Sequence, residues 1–453
     1  MKKILVVVVV VALVLSGFLI GASFYIGGKI AEQLPDELRK AQALGIPLTV
    51  KEAHRGVFTS RYVIATTIPF AKSGTRGPLL VPVEMTSNII HGPIPFMGGS
   101  LVPHMFVGDA TFALAADADP AVREAFEKLP ELSKSVIHVQ GDFDNTGDVT
   151  ITVPAFSKDL PQKNGTTLHV DWKGFTARAK RGTDTVVTGT FEAPGITLAT
   201  GPDAVALSGF SGTFATKPIE GLPLLSTGDV HYALKLFDVK MPSEGTAFSV
   251  SDITADGHLA ARGSLVDYDL VLKGTRHAPG SQDIPASLGI TLRSLDAKTL
   301  NDLLDLMQKA RFHPDQEPSE EEIMRMAAGL LPHSPSVALN ISAMEGTPDG
   351  PVTLKAEAKT DHMDTLPLSW ELARTQLRAN ASLDASEKSL RMLACLITRA
   401  LAPGMTDAQC QAVLTQRINE LTAQGHLIHT DGKLTSEAVW NGQALLINGK
   451  PLQ

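Results

Sequence analysis

Apolar and polar residues alternate with a period of two along most of the middle of this chain. Val136-Ile-His-Val-Gln-Gly, Val149-Thr-Ile-Thr-Val, Thr167-Leu-His-Val-Asp-Trp, Val186-Val-Thr-Gly-Thr-Phe, Val230-His-Tyr-Ala-Leu-Lys-Leu-Phe and Tyr268-Asp-Leu-Val-Leu-Lys all follow this pattern. Gly, Asp and Asn turn signals separate them at roughly 8–12-residue intervals, the signature of antiparallel strands joined by short turns. No helical period interrupts residues 136–284, so that stretch is predicted to be a long β-meander. Upstream, residues 46–69 read as strands, residues 72–100 as a Gly/Pro/Ser-rich loop passage, and Pro120 to Leu132 as a helix.

From residue 285 the period changes. Leu295 to Lys309 and Pro318 to Leu331 are predicted helices after a strand at Ser287–Leu292, and strands follow at 336–341 and 352–358. The order then recurs. A strand at 376–383 leads to two helical segments, Leu390–Leu401 and Asp407–Leu421, and to strands at 434–440 and 443–447 joined at Asn441-Gly442, a tight-hairpin signal. Ser-Leu-Asp-Ala occurs in both copies, at 294–297 and 382–385. Two strand–helix–helix–strand–strand repeats, 285–360 and 375–450, are therefore expected.

The first residues obey a different rule. Ile4 to Gly28 carries no charge, which exceeds the ~20 residues a spanning helix needs. Lys2 and Lys3 precede it, which favours a cytoplasmic N-terminus. A cleaved signal peptide ending near Gly21-Ala22-Ser23 is the rival reading, but the apolar run continues through Phe24, Tyr25 and Ile26. The expected fold class is thus α+β, predominantly antiparallel β, with an N-terminal transmembrane helix. Four segments follow: anchor 1–28, N-terminal envelope region 29–135, meander 136–284 and α+β region 285–453. The expected location is the inner membrane, single-pass, with the bulk of the chain periplasmic.

Composition narrows the function. The 453 residues carry a net charge of −8, and the only charges before residue 30 are three lysines, so the remainder is more acidic still. That balance, with 5 % aromatics, argues against a nucleic-acid partner. Cys395 and Cys410 are the only cysteines, on two helical segments separated by a Pro403-Gly404 turn. Such helices pack antiparallel, and in an oxidising compartment the pair reads as a structural disulfide.

Candidate chemistry is sparse, with no Walker A loop, GxSxG or HExxH. Asp142-Phe-Asp144-Asn145-Thr-Gly147 starts like a calcium loop but has Val153 where the closing glutamate belongs, and ordinary turns use the same residues. His426 and His429 read as independent surface residues. His54, Arg55 and His91 form the remaining set, suited to holding an anion or moving a proton if they converge, with no third orienting group in view. No catalytic residue, cofactor or metal ligand is assigned.

The sequences carrying that set, His54-Arg-Gly-Val-Phe-Thr-Ser60 and His91-Gly-Pro93, lie between an apolar N-terminus and Asn-Gly turns at 441–442 and 448–449. This arrangement resembles the YdgA-like family of bacterial envelope proteins. Ile90 stands where such sequences often carry an acid. The resemblance implies an anchored, β-rich envelope protein and brings no activity with it. The plan is also similar to that of AsmA-like envelope proteins. The expected function is non-enzymatic: sheltering or passing a hydrophobic, lipid-like ligand beside the inner membrane. The alternatives are an envelope scaffold that associates with itself or with other envelope proteins, and a hydrolase built on His54, Arg55 and His91.

Overall fold

The computed structural model describes residues 22–452 apart from 33, 37, 40–41, 43–45, 71–78, 96–101, 163–164, 245, 278–281, 313–317, 362–374 and 402–404. Most of the expected anchor lies outside them. Residues 22–32 are helical, and no helix among the described residues is long and apolar enough to cross a membrane. The chain forms two compact units, Met1–Gly228 with Asn301–Glu320, and Asp229–Leu300 with Glu321–Gln453.

The first unit is an antiparallel sheet of β1 (Thr49–Arg55), β2 (Thr59–Phe70), β3 (Leu79–His91), β4 (Phe106–Leu114), β5 (Val136–Gly141), β6 (Gly147–Val153), β7 (Phe156–Pro161), β8 (Thr167–Trp172), β9 (Phe175–Arg181), β10 (Val187–Thr200) and β11 (Asp203–Ile219). A helix, α1 (Pro120–Glu127), interrupts the chain between β4 and β5. Pairing runs β1–β2–β3–β4–β5–β6–β9–β10–β11, with β8 on the far half of β10 and β7 on β8. Strand β3 corrects the expected loop over 72–100. Its Pro82 pairs with Thr67 of β2, but its carbonyl accepts from Ala115 N on the β4 side, just past the last β3–β4 pair, Val83 with Leu114, so the missing N–H faces away from β2.

Register gives this sheet two unlike faces, because directly paired residues share a side and neighbours along a strand do not. Tyr62, Ser87, Ala110, Ile137, Ile151, Ala177 and Phe191 are successive partners across seven strands. The row one residue over is Arg61, Asn88, Asp109, His138, Thr150, Arg178 and Thr190. One face is therefore apolar and the other polar, with cross-strand pairs such as His138 Nδ1 to Asp109 Oδ1 at 2.8 Å. In four neighbouring strands the apolar positions take a three-residue step at one level, Val153 to Phe156, Trp172 to Phe175, Ala193 to Ile196 and Leu207 to Phe210. Gly174 and Gly209 have positive φ (93° and 64°) at that level, so the backbone kinks where the alternation changes phase.

Strand β12 (Leu222–Met241) carries the chain into the second unit. There β13 (Thr246–Arg262), β14 (Leu265–His277), β15 (Ile284–Asp296), β16 (Ser336–Ala343), β17 (Val352–Thr360), β18 (Leu377–Ser386) and β20 (Lys433–Trp440) pair in sequence, all antiparallel. Strands β19 (Ile428–Thr430) and β21 (Leu445–Ile447) share the outer edge of β20, and β22 (Lys450–Pro451) pairs with β21. The same division of faces recurs. Leu270, Ile290, Leu339, Ala356 and Ala381 form one row, against Asp269, Thr291, Ala338, Glu357 and Asn380 beside it.

The two expected strand–helix–helix–strand–strand copies are alike in element order except that the second has an extra strand, β19, between its helices and β20. The first is β15, α2 (Ala297–Phe312), α3 (Glu320–Ala328), β16 and β17, and the second is β18, α4 (Glu387–Leu401), α5 (Asp407–Ala423), β19, β20 and β21. The two Ser-Leu-Asp-Ala segments are not equivalent within them. Asp296 ends its strand and accepts from Thr299 N at the start of α2, whereas Asp384 lies inside β18 and pairs with Lys433. The final hairpin also differs from a two-residue turn. Trp440 pairs with Leu445, and Asn441 Oδ1 accepts from the backbone N–H groups of Gln443 and Ala444, giving a four-residue loop.

Helices α4 and α5 cover one end of the apolar face of the second unit. Leu390, Ile418 and Leu421 pack on Leu383, Leu427 and Leu434, and Met392 and Leu393 pack on Ile284, Ala343 and Met344. Helix α5 starts at a reciprocal cap in which Thr406 Oγ1 accepts from Gln409 N and Gln409 Oε1 accepts from Thr406 N. Cys395 of α4 and Cys410 of α5 form the expected disulfide, Cα to Cα 5.7 Å, closing a sequence separation of 15 residues. Closing a loop of that length limits the unfolded chain by about 3 kcal/mol. Replacing both cysteines by serine is expected to lower unfolding free energy by up to about that amount in denaturant titration. Unchanged stability would mean the helix pair is held by its apolar contacts alone.

Candidate functional site

The set His54, Arg55 and His91 does not assemble. His54 pairs across the ladder with Arg61, in the polar row, and its side chain is exposed beside Glu52 at 3.9 Å. Arg55 pairs with Ser60 on the other face. Adjacent residues of a strand point to opposite sides, so β1 itself separates His54 from Arg55. The three-residue proton-transfer arrangement is excluded by this geometry.

Arg55 and His91 do come together, and both meet the N-terminal helical segment. His91 is 1 % exposed and Ser60 is 2 % exposed. His91 Nε2 lies 2.9 Å from Ser60 Oγ, and His91 Nδ1 lies 3.3 Å from the Val57 carbonyl. A carbonyl only accepts, so Nδ1 donates to it and Nε2 accepts from the Ser60 hydroxyl. The imidazole lies against Gly27, where any Cβ would fall 2.3 Å from the ring. Arg55 donates to the Phe24 carbonyl at 2.6 Å, and its guanidinium stacks 4.2 Å from the Phe24 ring centroid. Ser23 Oγ donates to the Gly92 carbonyl. A backbone bond from His91 N to Phe58 O fixes the two motifs against each other, and one from Gly92 N to Met105 O ties the second to the start of β4.

The His-Arg-Gly-Val-Phe and His-Gly-Pro segments thus form a clasp for residues 23–28. Gly27 and Gly28 are the residues that let the helix approach, since a Cβ on Gly28 would sit 3.0 Å from the Arg55 guanidinium. Burial, and then the Arg55 charge, hold His91 below its ordinary pKa against the opposing pull of the Val57 carbonyl. The Ser60–His91 pair has the contacts of a nucleophile and its base, but Gly27 occupies the space a substrate would need.

A model described as "Bacterial protein of unknown function (DUF945)" matches residues 1–453. The chain belongs to that family. No curated protein and no solved structure matches it. The family is bacterial, which agrees with the reading of the motifs, and it assigns no activity to them.

The other sequence candidates have local roles. Asp142 takes His104 Nδ1 at 2.6 Å, and Asp144 Oδ1 takes the N–H and hydroxyl of Thr146, holding the β5–β6 turn with Asn145 at φ 66°. His429 Nε2 meets Glu387 at 2.9 Å. Sequence reasoning named no residue of the apolar face of the first unit as a site. Its row runs from the clasp, Ser60, through Ile89, Val139, Val149 and Ala179 to Phe214. It is covered at Ser60 and open at Val149, which is 38 % exposed. Alternation marked each residue, and only register joins them.

The clasp predicts a pH response with a definite sign. A histidine whose folded pKa is lowered leaves the seat fully stable above about pH 6.5, and stability falls as the pH drops from there toward the lowered value. Hydrogen exchange over residues 22–32 is expected to accelerate below that pH in the native chain and to lose this dependence in His91→Gln. Gly27→Val is expected to release the segment at every pH. Equal exchange in all three proteins would show that the clasp does not hold the helix.

Proposed function

We propose that this protein is a non-enzymatic envelope protein, anchored in the inner membrane by its N-terminal apolar run, that shelters a hydrophobic, lipid-like ligand on the apolar faces of its sheets. The observation that carries this reading is the largely apolar register of one face in each unit, backed by a polar face. A sheet that buried both faces would have no reason for the second row to be Asp, His, Arg, Thr and Asn. A contiguous exposed apolar surface marks an interaction site. Phe210 is 41 % exposed and Val337 is 46 % exposed on those faces. We further read the clasp sequences as those of the YdgA-like group within the family. The net acidity and the disulfide suit a periplasmic body beside the membrane, and no cofactor or nucleic-acid partner enters the reading.

Native mass spectrometry of the full chain in amphipol, followed by solvent extraction, tests the proposal. Stoichiometric lipid is expected with the native chain. Ile151→Asp combined with Leu339→Asp, one charge on each apolar face, is expected to abolish it, while Thr150→Asp with Ala338→Asp on the polar faces retains it. A lipid-free monomer would overturn the sheltering role. A lipid-free homo-oligomer dispersed by the same apolar-face changes would transfer the faces to self-association, as in a scaffold.

A further inference from the structure

The apolar face of the first unit ends in a trough about 430 Å³ in volume, lined by Val149, Ile151, Phe175, Phe191, Phe210 and Phe214 over a floor that includes Ala177 and Ala179, with Arg178 and Thr190 also in its lining. Phe191 and Phe210 stand 5.0 Å apart between ring centroids, and Phe175 and Phe191 stand 6.3 Å apart. Gly189 belongs to the same row and leaves room for the Phe214 ring, which a Cβ there would meet at 2.3 Å. The next residue of β9 on this face after Ala179 is Arg181, paired with Gly147 on one side and Val187 on the other. Arg181 is exposed and has no carboxylate partner among the described residues. The nearest acid along the neighbouring strand, Asp148, pairs with Lys180 and so belongs to the opposite face.

We propose that this trough seats an acyl chain of an anionic amphiphile and that Arg181 takes its head group. The geometry assembles the two parts such a ligand needs. Four phenylalanines and small residues line most of an apolar channel, and Arg181 follows Ala179 on the same face at its end. A folded protein partner would meet a surface whose floor is mostly Ala and Gly, with little for a side chain to interlock with, whereas a flexible hydrocarbon fills such a channel. Arginine is the cation suited to a carboxylate or a phosphate, because its planar fork donates two parallel hydrogen bonds. The site rests on the ligand-sheltering reading above and makes it specific in place and in chemistry.

The test uses the full chain in amphipol with two probes: a diazirine-bearing palmitic acid, and a phosphatidylglycerol carrying the diazirine in one acyl chain. After irradiation, adducts are mapped by peptide mass spectrometry. Adducts are expected on β6, β9, β10 and β11 at trough positions. Preference for the first probe identifies a free fatty acid as the source and preference for the second a lipid. Arg181→Glu is expected to cut trough adducts about fivefold, with Arg181→Lys keeping most of them. Lys180→Glu, the same charge reversal on the polar face, leaves the yield unchanged. Saturated analogues of increasing length are expected to compete about two- to fourfold better per added methylene, until the trough is full. Adducts confined to the second unit would overturn the seat while leaving the sheltering function in place. No adducts anywhere would overturn both. Equal labelling of polar-face and trough positions, or equal yields for Arg181→Glu and the native chain, would also overturn the assignment.

Discussion

Cross-strand register is the constraint on which the rest of this protein depends. Each strand alternates apolar and polar residues, and a shift of one residue in any pairing would exchange its two faces. Through seven consecutive pairings of the first unit the apolar rows stay aligned, from Tyr62 to Phe191 and from Ile89 to Phe214. The second unit keeps the same discipline from Leu270 to Ala381. Turn chemistry fixes the register locally. Asp142, Asp144 and Asn145 set the β5–β6 turn, and Asn441 sets the last hairpin. Where the phase of alternation changes, it changes at one level in four neighbouring strands, so the faces stay coherent on either side of the kink.

A one-sided sheet must hide its apolar surface or use it. The second unit hides part of its face under α4 and α5, and the disulfide between Cys395 and Cys410 keeps that pair together. The first unit seals one end of its face at the clasp, where Ser60, Tyr62 and His91 are nearly inaccessible, and leaves the other end open. Burial along one continuous row therefore falls from the helix seat toward the phenylalanines. That gradient separates the two ends of the face. The clasp end sets where the N-terminal segment sits on the sheet, and the other end stays accessible to solvent.

Much of the fold is legible in the sequence, because period-two alternation and the helical period after residue 295 are local signals. The antiparallel meander, the helix pair and the disulfide all follow from them. Strand β3 is not legible in this way, since Pro82 and the Gly- and Pro-rich flanks outweigh the alternation of Leu79 to Met85, and only the free position beyond the β3–β4 ladder makes that proline harmless. The separation of His54 from Arg55 was available from alternation alone, because two neighbours in a strand cannot share a face. The role of His91 was not available. It depends on a helix more than sixty residues upstream arriving with glycines at 27 and 28.

The same reasoning changes what the motif pair means. A histidine, an arginine and a serine close in sequence suggest chemistry when read as a string, and the fold assigns them to packing. Arg55 spends its charge on the Phe24 carbonyl and ring, and His91 spends both ring nitrogens on Ser60 and Val57. Both ring nitrogens of His91 are thereby engaged, and Arg55 is committed to the helix through one of its donors and its stacked face. Arg181 is the opposite case. It lies in an ordinary strand end with no motif around it, yet its guanidinium is unpaired beside an apolar channel. The polar face pairs some of its charges across strands, as His138 with Asp109 and Lys433 with Asp384, whereas Arg181 is a cation on the apolar side with no carboxylate partner among the described residues. Burying it would cost more than leaving it exposed. Its place at the open end of the face is therefore consistent with stability alone, and a ligand is what would give it a partner.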